Sequence, residues 1–555
     1  MKSRLLLLIF IGAAFPAAEP PPLFTNSTQA AGINFVHAKG NKGAATILEE
    51  AGPGVCVADY DSDGWQDIYF VNGRGPHSLY RNNQNGTFTD VTTKAGVAGN
   101  AYGLGCVWGD YDNDGHPDLY VSQYGHNILY RNNGDGSFTD VTAKAGVDGA
   151  AFGTVFHTGA TFFDYDKDGF LDLYTGGYVD FGPQSRQTCK LGSSSEASCP
   201  PSVYSGSPAV LYRNNADGTF TNVTRKAGIY QPKGKNLSVQ AVDYDNDGWP
   251  DLMVANDGVE AYLYHNEHNG TFKEVALTSG VALSGDGLTM AAMCISFGDY
   301  DNDGNLDLYI SDFQNAPDHI WHNDGHGFFD EVSVRAGIAV ITKSLLSFGG
   351  GFFDYDNDGL LDLFIANGHV YQGVEAYKQI NSLFHNEGRG KFIETAKQSG
   401  EAFTVPHLGR GAAFFDYDND GFMDVVVGNN DDPPLLLHNN GVSVGHYLNL
   451  QLVGTKSNRD AMGARVKVTA GGITQMREIA GGGSYLSQSD LRAHVGLKSN
   501  KTADVVEVWW PSGAHQLFQS VEANHFYTIT EGRAPILVNP GANRAPTVRE
   551  SPLNE

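Results

Sequence analysis

Short apolar stretches alternate with polar turns along most of this 555-residue chain. In the segment that begins at Gly105, an apolar stretch runs into an Asp-rich loop, and strand-like stretches follow at residues 119–121, 128–131 and 138–141. The last two flank an Asn-Asn-Gly-Asp-Gly turn, whose Asn and Gly residues tolerate the positive φ angles of a tight hairpin. The pattern therefore predicts units of four antiparallel strands.

The four-strand unit recurs seven times, and each copy contains one Asp-rich loop. Successive loops begin 51 to 79 residues apart, a spacing typical of propellers, solenoids and repeat arrays. Because four antiparallel strands form one propeller blade, we predict an all-β fold with a seven-bladed β-propeller over residues 19–441. The loops begin at Asp59, Asp110, Asp164, Asp243, Asp299, Asp354 and Asp416.

The two ends of the repeat region complement each other. The seventh repeat reaches Gly441 without its fourth strand, and the matching Phe-Thr-Asn-Ser-Thr stretch lies at residues 24–28. We therefore expect the N-terminal strand to complete the last blade, which closes the ring and leaves only short, protected edges. An open solenoid would need capping repeats, and the sequence contains none.

Each Asp-rich loop has the form Asp-Tyr-Asp-x-Asp-Gly-x-x-Asp, with carboxylates at loop positions 1, 3, 5 and 9. Gly at position 6 allows a sharp turn, and the backbone carbonyl at position 7 adds an oxygen ligand. Such an oxygen-rich set favours Ca2+ over octahedral Mg2+ and over Zn2+. We predict about seven calcium sites, with these ligands: Asp59, Asp61, Asp63, Trp65 and Asp67; Asp110, Asp112, Asp114, His116 and Asp118; Asp164, Asp166, Asp168, Phe170 and Asp172; Asp243, Asp245, Asp247, Trp249 and Asp251; Asp299, Asp301, Asp303, Asn305 and Asp307; Asp354, Asp356, Asp358, Leu360 and Asp362; Asp416, Asp418, Asp420, Phe422 and Asp424.

Two other interpretations of the loops are weaker. Asp, Asn and Gly are the ordinary residues of solvated turns, but seven copies that all keep four Asp residues argue against that origin. An EF-hand would require Glu at the twelfth position. We expect that position to lie in a strand, because it holds Phe70, Val121, Thr175, Val254, Ile310, Ile365 and Val427.

The formal net charge of the chain is -27, and many of its acidic residues lie in the seven loops. Seven Ca2+ ions would cancel about half of that charge. The sequence has no basic stripe, which argues against nucleic acid as a partner.

The N-terminus is typical of an export signal. Lys2 and Arg4 precede an apolar run at residues 5–15, and small residues end near Ala18. We predict a cleaved signal peptide over residues 1–18 and a secreted or periplasmic protein. No later segment has the apolar length of a membrane span.

The chain contains five cysteines. Cys189 and Cys199 flank a Ser-rich insertion, so we predict a disulfide between them in an oxidising compartment. Cys56, Cys106 and Cys294 each lie in an apolar strand just before an Asp-rich loop, and we expect three buried free thiols.

The chain changes character after residue 441. Residues 446–533 contain alternating apolar stretches that predict a small all-β domain. A Gly run such as residues 481–483 can belong to a phosphate-binding loop, but that loop requires a following Gly-Lys-Ser/Thr sequence, which is absent here. We therefore predict a flexible turn. Residues 534–555 are rich in Pro, Asn and charge and predict a disordered tail.

Both regions resemble known families. The repeats resemble the FG-GAP/VCBS repeats of integrin-type seven-bladed propellers over about residues 24–441. The sequence Asn-Arg-Asp-Ala-Met-Gly-Ala-Arg-Val at 458–466, with Gly-Gly-Gly-Ser-Tyr-Leu-Ser-Gln-Ser at 481–489 and Val-Glu-Val-Trp-Trp-Pro-Ser-Gly at 506–513, resembles the ASPIC/UnbV domain. Together the two regions are similar to the cartilage acidic protein 1 family and its bacterial relatives. The resemblance implies a calcium-binding propeller, but no Arg-Gly-Asp tripeptide is present, so it implies no particular partner.

No catalytic constellation is recognisable, since both a Ser nucleophile elbow and a Cys/His pair in a known context are absent from the sequence. We predict a non-enzymatic interaction or adhesion protein that uses a calcium-stabilised propeller as a binding platform for protein or surface glycan. Loops on a rigid scaffold are the usual place for such binding. The candidates opposite the Asp-rich loops are His157, Lys343, Tyr371, His407 and Arg410.

The alternative is a calcium-dependent propeller enzyme, a lyase or glycosidase that acts on polysaccharide. Glu260 and Glu375 are its acidic candidates outside the loops. A concave cluster of aromatic and titratable residues opposite the Asp-rich loops would favour this alternative, whereas a flat polar face would favour protein recognition.

Overall fold

A computed structural model describes residues 23–40, 46–99, 101–182, 184–185, 187, 189–191, 195–374, 376–443 and 445–538. The predicted signal peptide, Glu375 and residues 539–555 of the predicted tail lie outside these residues.

The propeller consists of four-stranded antiparallel sheets, and seven of them are present in the described repeat region. From the inner strand outward, the first three blades are Val55–Ala58, Asp67–Phe70, Ser78–Asn82 and Phe88–Asp90; Tyr102–Gly109, Asp118–Tyr124, Ile128–Asn132 and Phe138–Asp140; and His157–Phe163, Asp172–Gly177, Val210–Asn214 and Phe220–Asn222. The next three are Asn236–Val242, Asp251–Asn256, Tyr262–Asn266 and Phe272–Glu274; Ile295–Gly298, Asp307–Ile310, His319–Asn323 and Phe329–Glu331; and Ser347–Phe353, Asp362–Asn367, Ser382–Asn386 and Phe392–Glu394. The seventh is Gly409–Phe415, Asp424–Asn429, Leu435–Asn439 and Phe24–Asn26.

The N-terminal strand completes the last blade, as the sequence predicts. Phe24 pairs with Asn439 and Asn26 pairs with Leu437 in antiparallel register. The Phe24 ring is buried against Tyr355 and Phe403, so the two ends of the propeller share one core.

Short helices connect the blades. Four of the seven α-helices in the described residues follow a fourth strand and end at a glycine in the left-handed region, such as Gly96 at φ 79°. The α-helices span Ile47–Ala51, Thr92–Ala95, Thr142–Ala145, Ala276–Ser279, Ser333–Ala336, Ala339–Thr342 and Ala396–Ser399, and the 3-10 helices span Ala151–Gly153, Pro201–Val203 and Glu401–Phe403. None of the helices in the described part of the chain is long and apolar enough to cross a membrane.

One buried asparagine at the end of each third strand joins its blade to the preceding blade. Asn132 Nδ2 donates to the carbonyl of Tyr60 at 2.8 Å, and Asn82 Nδ2 donates to the carbonyl of Tyr417 at 2.7 Å, which connects the first blade to the last. Leaving such a buried amide without an acceptor would lower the free energy of unfolding by about 1–3 kcal/mol. The other members of the series are Asn214–Tyr111, Asn266–Tyr165, Asn323–Tyr244, Asn386–Tyr300 and Asn439–Tyr355.

The C-terminal domain is all-β. Its strands are His446–Val453, Arg465–Ala470, Ile473–Glu478, Ala493–Lys498, Thr502–Trp509, His515–Glu522, His525–Thr530 and Ile536–Val538. They form two four-stranded sheets around a core of aliphatic side chains. The last strand pairs with His525–Thr530 and lies beyond residue 533, so residues 536–538 belong to the sheet and not to a disordered tail.

A segment of the C-terminal domain, residues 480–490, lies along the propeller axis between the inner strands; we call it the plug. Gly483 donates its N–H to Val239 O at 2.9 Å, and Ser484 donates its N–H to Ile295 O at 2.7 Å. A Cβ on Gly482 would lie 2.5 Å from Val239 O. The Gly run is therefore a buried close-approach element and not a flexible turn.

The cysteine prediction is correct for one pair and wrong for another. The structure contains a Cys189–Cys199 disulfide, the pair predicted from the sequence. Cys56 and Cys106 also form a disulfide, with their Cα atoms 6.0 Å apart, although we expected free thiols. The reason is that they lie on the adjacent inner strands of the first two blades. Cys294 is free and buried.

This pairing predicts a specific alkylation pattern. When the protein is denatured without reductant, we expect only Cys294 to react with iodoacetamide, as measured by peptide mass spectrometry. After reduction, all five cysteines should react. Alkylation of Cys56 and Cys106 in the unreduced sample would contradict the cross-blade disulfide.

Candidate functional site

The Asp-rich loops occupy the same place in every blade, between the first and second strands. In the first loop, both carboxylate oxygens of Asp59 accept backbone N–H groups, from Asp63 and Gly64, each at 2.9 Å. The same pair of bonds is present in the other six loops. Gly64 has φ 91°, which only glycine adopts readily, so the glycine at position 6 is required by the turn.

The ninth residue of each loop begins the second strand and fixes the loop to the blade. Asp67 Oδ1 accepts the N–H of Asn82 at 2.7 Å, and its Oδ2 accepts the N–H of Tyr60 at 3.2 Å. The twelfth residues all lie in the second strands, as expected. The four Asp side chains of a loop are thus held close together by the local backbone.

The third residue of the loop carries a carboxylate oxygen that lacks a partner. In six loops its Oδ1 is buried without a hydrogen bond: Asp61, Asp112, Asp166, Asp245, Asp301 and Asp418. In the remaining loop, Asp356 Oδ1 accepts the N–H of Asp358 at 3.2 Å. A buried carboxylate oxygen without a hydrogen bond is unfavourable, so these atoms fit a bound cation.

The electrostatics of the loops point the same way. Burial raises the pKa of Asp59 and of Asp164 to about 7, and repulsion from the neighbouring loop carboxylates contributes to that rise. Burial also raises the pKa of Asp67 well above its usual range. Several carboxylates in one small volume repel one another unless a cation neutralises them. Groups such as Asp59, Asp61 and Asp63 have ligand atoms close enough together to hold a metal ion.

Basic side chains from the third strands lie beside the loops, a feature that the sequence analysis did not predict. Arg131 Nε lies 2.6 Å from Asp112 Oδ2, and Arg131 Nη2 lies 2.6 Å from Asp114 Oδ2. Arg81 and Arg213 make the same two contacts in their blades. His265, His322, His385 and His438 take this place in the last four blades. The sequence signal for this feature was the Arg or His that recurs as the fourth residue of each third strand, such as Arg81 in Ser78–Asn82.

The C-terminal domain docks on the face of the propeller that carries the loops, which we call the loop face. Asp460 Oδ2 accepts the N–H of Asp110 at 2.7 Å, and Glu478 Oε1 accepts the N–H of Asp243 at 2.9 Å. Arg492 Nη1 donates to Asn419 Oδ1 at 2.9 Å. The domain therefore contacts the loops directly, through backbone groups of two first-position aspartates.

Comparison with known proteins decides the family. The family described as FG-GAP-like repeat matches the chain over more than half of its length, at residues 59–121, 110–175, 202–254, 243–310, 299–365 and 354–427. The chain belongs to the FG-GAP-like repeat family. The family described as ASPIC and UnbV matches residues 454–536, which contain the plug.

The FG-GAP-like chain has named relatives. Cartilage acidic protein 1 of Mus musculus is 25% identical over 319 residues, which are 56% of this chain and 47% of the mouse protein. The chain thus spans about half the length of that relative. An Agrocybe aegerita lectin that recognises non-reducing terminal N-acetylglucosamine has a TM-score of 0.39 at 20% identity and covers 62% of this chain and 79% of its own. A Bacillus licheniformis rhamnogalacturonan lyase has a TM-score of 0.37 at 14% identity and covers 74% of each chain.

The predicted binding residues of this FG-GAP-like chain do not form one surface on the face opposite the loops, which we call the open face. His157 is buried, and burial lowers its pKa to about 4. Lys343 is exposed, and His407 Nδ1 lies 3.9 Å from Asp432 Oδ2. Of the five candidates, Tyr371 alone lines a concave pocket found on this face.

Arg410 is fully buried and is not a surface residue. Its guanidinium stacks on the Phe348 ring, 3.9 Å from the ring centroid, and its Nε donates to Glu50 O at 3.1 Å. It also lies beside the Glu50 carboxylate, with Nη2 3.8 Å from Oε2. Arg410 therefore lies beneath the open face, where it packs against Phe348 and Glu50, two residues that line the pocket.

Proposed function

We propose that this FG-GAP-like protein is an exported, non-enzymatic binding protein whose propeller is stabilised by Ca2+ and whose open face binds protein or glycan. The observation that carries the calcium assignment is the unpartnered, buried third-position carboxylate oxygen in six of the seven loops. A cation among four carboxylates would satisfy that oxygen and cancel their repulsion.

The ligand chemistry supports Ca2+ in particular. Each loop offers carboxylates at positions 1, 3, 5 and 9, and the position 7 carbonyl supplies a further oxygen in this proposal. Hard oxygen ligands in an irregular arrangement suit Ca2+, and a bound Ca2+ would supply positive charge that links the first two strands of a blade. About seven ions are expected for the chain.

Export is supported by the disulfides. The structure contains the Cys56–Cys106 and Cys189–Cys199 pairs, and such bonds persist mainly in oxidising compartments. Together with the apolar N-terminal sequence, they favour a secreted or periplasmic location.

Loss of one loop carboxylate should remove one ion. For Asp61→Asn we expect the calcium count, measured by native mass spectrometry, to fall by one, because the amide supplies no negative charge. Asp135→Asn is the matched control: Asp135 is an exposed turn residue outside the loops and should leave the count unchanged. A full count in Asp61→Asn would contradict the assignment of this ligand.

A polysaccharide lyase or glycosidase is the second candidate, and the concave pocket on the open face favours it. Its sequence-predicted acids do not support it: Glu260 is exposed and does not line the pocket, and Glu375 lies outside the described residues. Incubation of the calcium-loaded protein with pectic and neutral polysaccharides, followed by assays for unsaturated products and new reducing ends, separates the two. We expect no turnover. Steady release of products would contradict the non-enzymatic proposal and favour the lyase or glycosidase.

A further inference from the structure

The pocket on the open face lies at the propeller axis and has a volume of about 80 Å3. Tyr178, Asp257, Phe313 and Tyr371 come from the segments just after the second strands of four consecutive blades, so the fold itself converges them. Phe348 lines the pocket at the start of an inner strand. Concave sites with aromatic walls and a few polar groups are the usual form of small-ligand sites.

The wall and the floor of this pocket come from an insertion and from the plug. Residues 198–201 form part of the wall, and the Cys189–Cys199 disulfide links them to the short strand Cys189–Leu191. The floor includes Tyr485 of the plug, whose hydroxyl donates to Ala51 O at 2.9 Å and whose ring packs edge-on against Phe348 at 4.9 Å. Because the plug occupies the axis below, the open face is the side from which a ligand reaches the described part of the pocket.

Two carboxyl groups line the pocket. Tyr178 Oη donates to Asp257 Oδ2 at 2.5 Å, which orients that carboxyl group. Glu50 is only 4% exposed, and its Oε2 is buried without a hydrogen-bond partner. That oxygen faces the buried Arg410, so Glu50 contributes charge behind the pocket wall. Asp257 is partly exposed and is the carboxyl group that a ligand donor can reach.

The charges around the pocket select the kind of donor. Lys39 Nζ lies 3.6 Å from Glu50 Oε1, and Arg410 Nη2 lies 3.8 Å from Glu50 Oε2, so two cations already offset this carboxylate. A small cationic ligand would be repelled by both, and an anionic ligand would meet Glu50 and Asp257. A neutral ligand avoids both conflicts, and one with a hydroxyl donor and an apolar face can donate to Asp257 and cover the aromatic walls at once.

We propose that this pocket binds one neutral sugar residue, presented end-on from the open face, with a hydroxyl group donating to the partly exposed Asp257 and its carbon face on Tyr371 or Phe313. This inference rests on the proposed binding function and specifies the glycan alternative within it. The size of the pocket limits the contact to a single residue or part of one, so weak binding of an isolated monosaccharide is expected.

Saturation-transfer NMR on the full-length, calcium-loaded protein tests the proposal. The probes are glucose, galactose, mannose, fucose and N-acetylglucosamine, each at millimolar concentration, and choline as a small cation. We expect at least one sugar to receive saturation and choline to receive none. Tyr371→Ala and Asp257→Asn should each reduce the sugar signal about tenfold. Tyr230→Ala, a half-buried tyrosine outside the pocket, is the matched control and should leave the signal unchanged.

The outcomes separate the pocket from the wider function. No saturation of any sugar, or saturation of choline alone, overturns the sugar assignment while the calcium-stabilised platform stands. Sugar binding that survives both pocket variants places the glycan elsewhere on the propeller and also overturns the inference. If native mass spectrometry finds no calcium bound to the protein, the proposed calcium-stabilised function fails, whatever the NMR result.

Discussion

Removal of calcium with EGTA should lower the melting temperature of the protein by on the order of 10 °C. If free calcium is tenfold above the Kd, binding adds about 1.4 kcal/mol per site, and seven independent sites add roughly 10 kcal/mol. A propeller of this size loses about 1 °C in melting temperature per 0.8 kcal/mol, which gives the expected shift. Without the ions, the four carboxylates of each loop also repel one another.

Differential scanning calorimetry with and without EGTA measures this effect. Calcium added in excess over EGTA should restore the original melting temperature, and excess Mg2+ should not, because octahedral Mg2+ suits the irregular loops poorly. An unchanged melting temperature in EGTA would mean that the loops fold without metal, and the calcium assignment would fail.

Local physics explains why the sequence predicts most of the fold. Each blade follows from strand-length apolar stretches separated by Asn and Gly turns. Phe24 could be assigned to the last blade because the seventh repeat has no fourth strand after Leu435–Asn439, and the strand at Phe24 has the sequence pattern of the fourth strands. The Asp-rich loops are equally local, since Asp59, Asp63 and Gly64 interact within six residues.

The failures involve contacts between distant parts of the chain. The Cys56–Cys106 bond depends on the neighbouring positions of two inner strands, which no local pattern encodes. The plug was missed for the same reason: its Gly run has the composition of a turn, and only the assembled ring shows that Val239 O leaves no room for a Cβ at Gly482. Arg410 was assigned to the surface because its burial under the open face is a tertiary property.

The two faces of the propeller are connected through the C-terminal domain. On the loop face, Asp460 and Glu478 accept N–H groups from the first residues of two Asp-rich loops. The same domain sends Tyr485 up the axis to the floor of the open-face pocket. An ion that orders a loop therefore also orders the backbone donors that hold this domain, so calcium binding and plug docking should reinforce each other.

Gly54→Val should release or strongly destabilise the plug, which is the second large expected effect. A Cβ on Gly54 would lie 1.8 Å from Leu486 O and 3.1 Å from Gly105 Cα, and both neighbours are backbone atoms that cannot rotate away. Overpacking of a rigid core costs about 1–3 kcal/mol and more where nothing can yield, so we expect a loss of at least about 3 kcal/mol.

Thermal unfolding and limited proteolysis together measure the release. In Gly54→Val we expect a lower melting temperature and new cleavage within residues 480–490, since a displaced plug exposes backbone that is hydrogen-bonded in the intact protein. Gly182→Val is the matched control, because the nearest atom to its Cβ is Tyr124 Oη at 3.9 Å. If Gly54→Val has the melting temperature and the cleavage pattern of the control, Leu486 does not lie against Gly54, and the position assigned to this part of the plug is wrong.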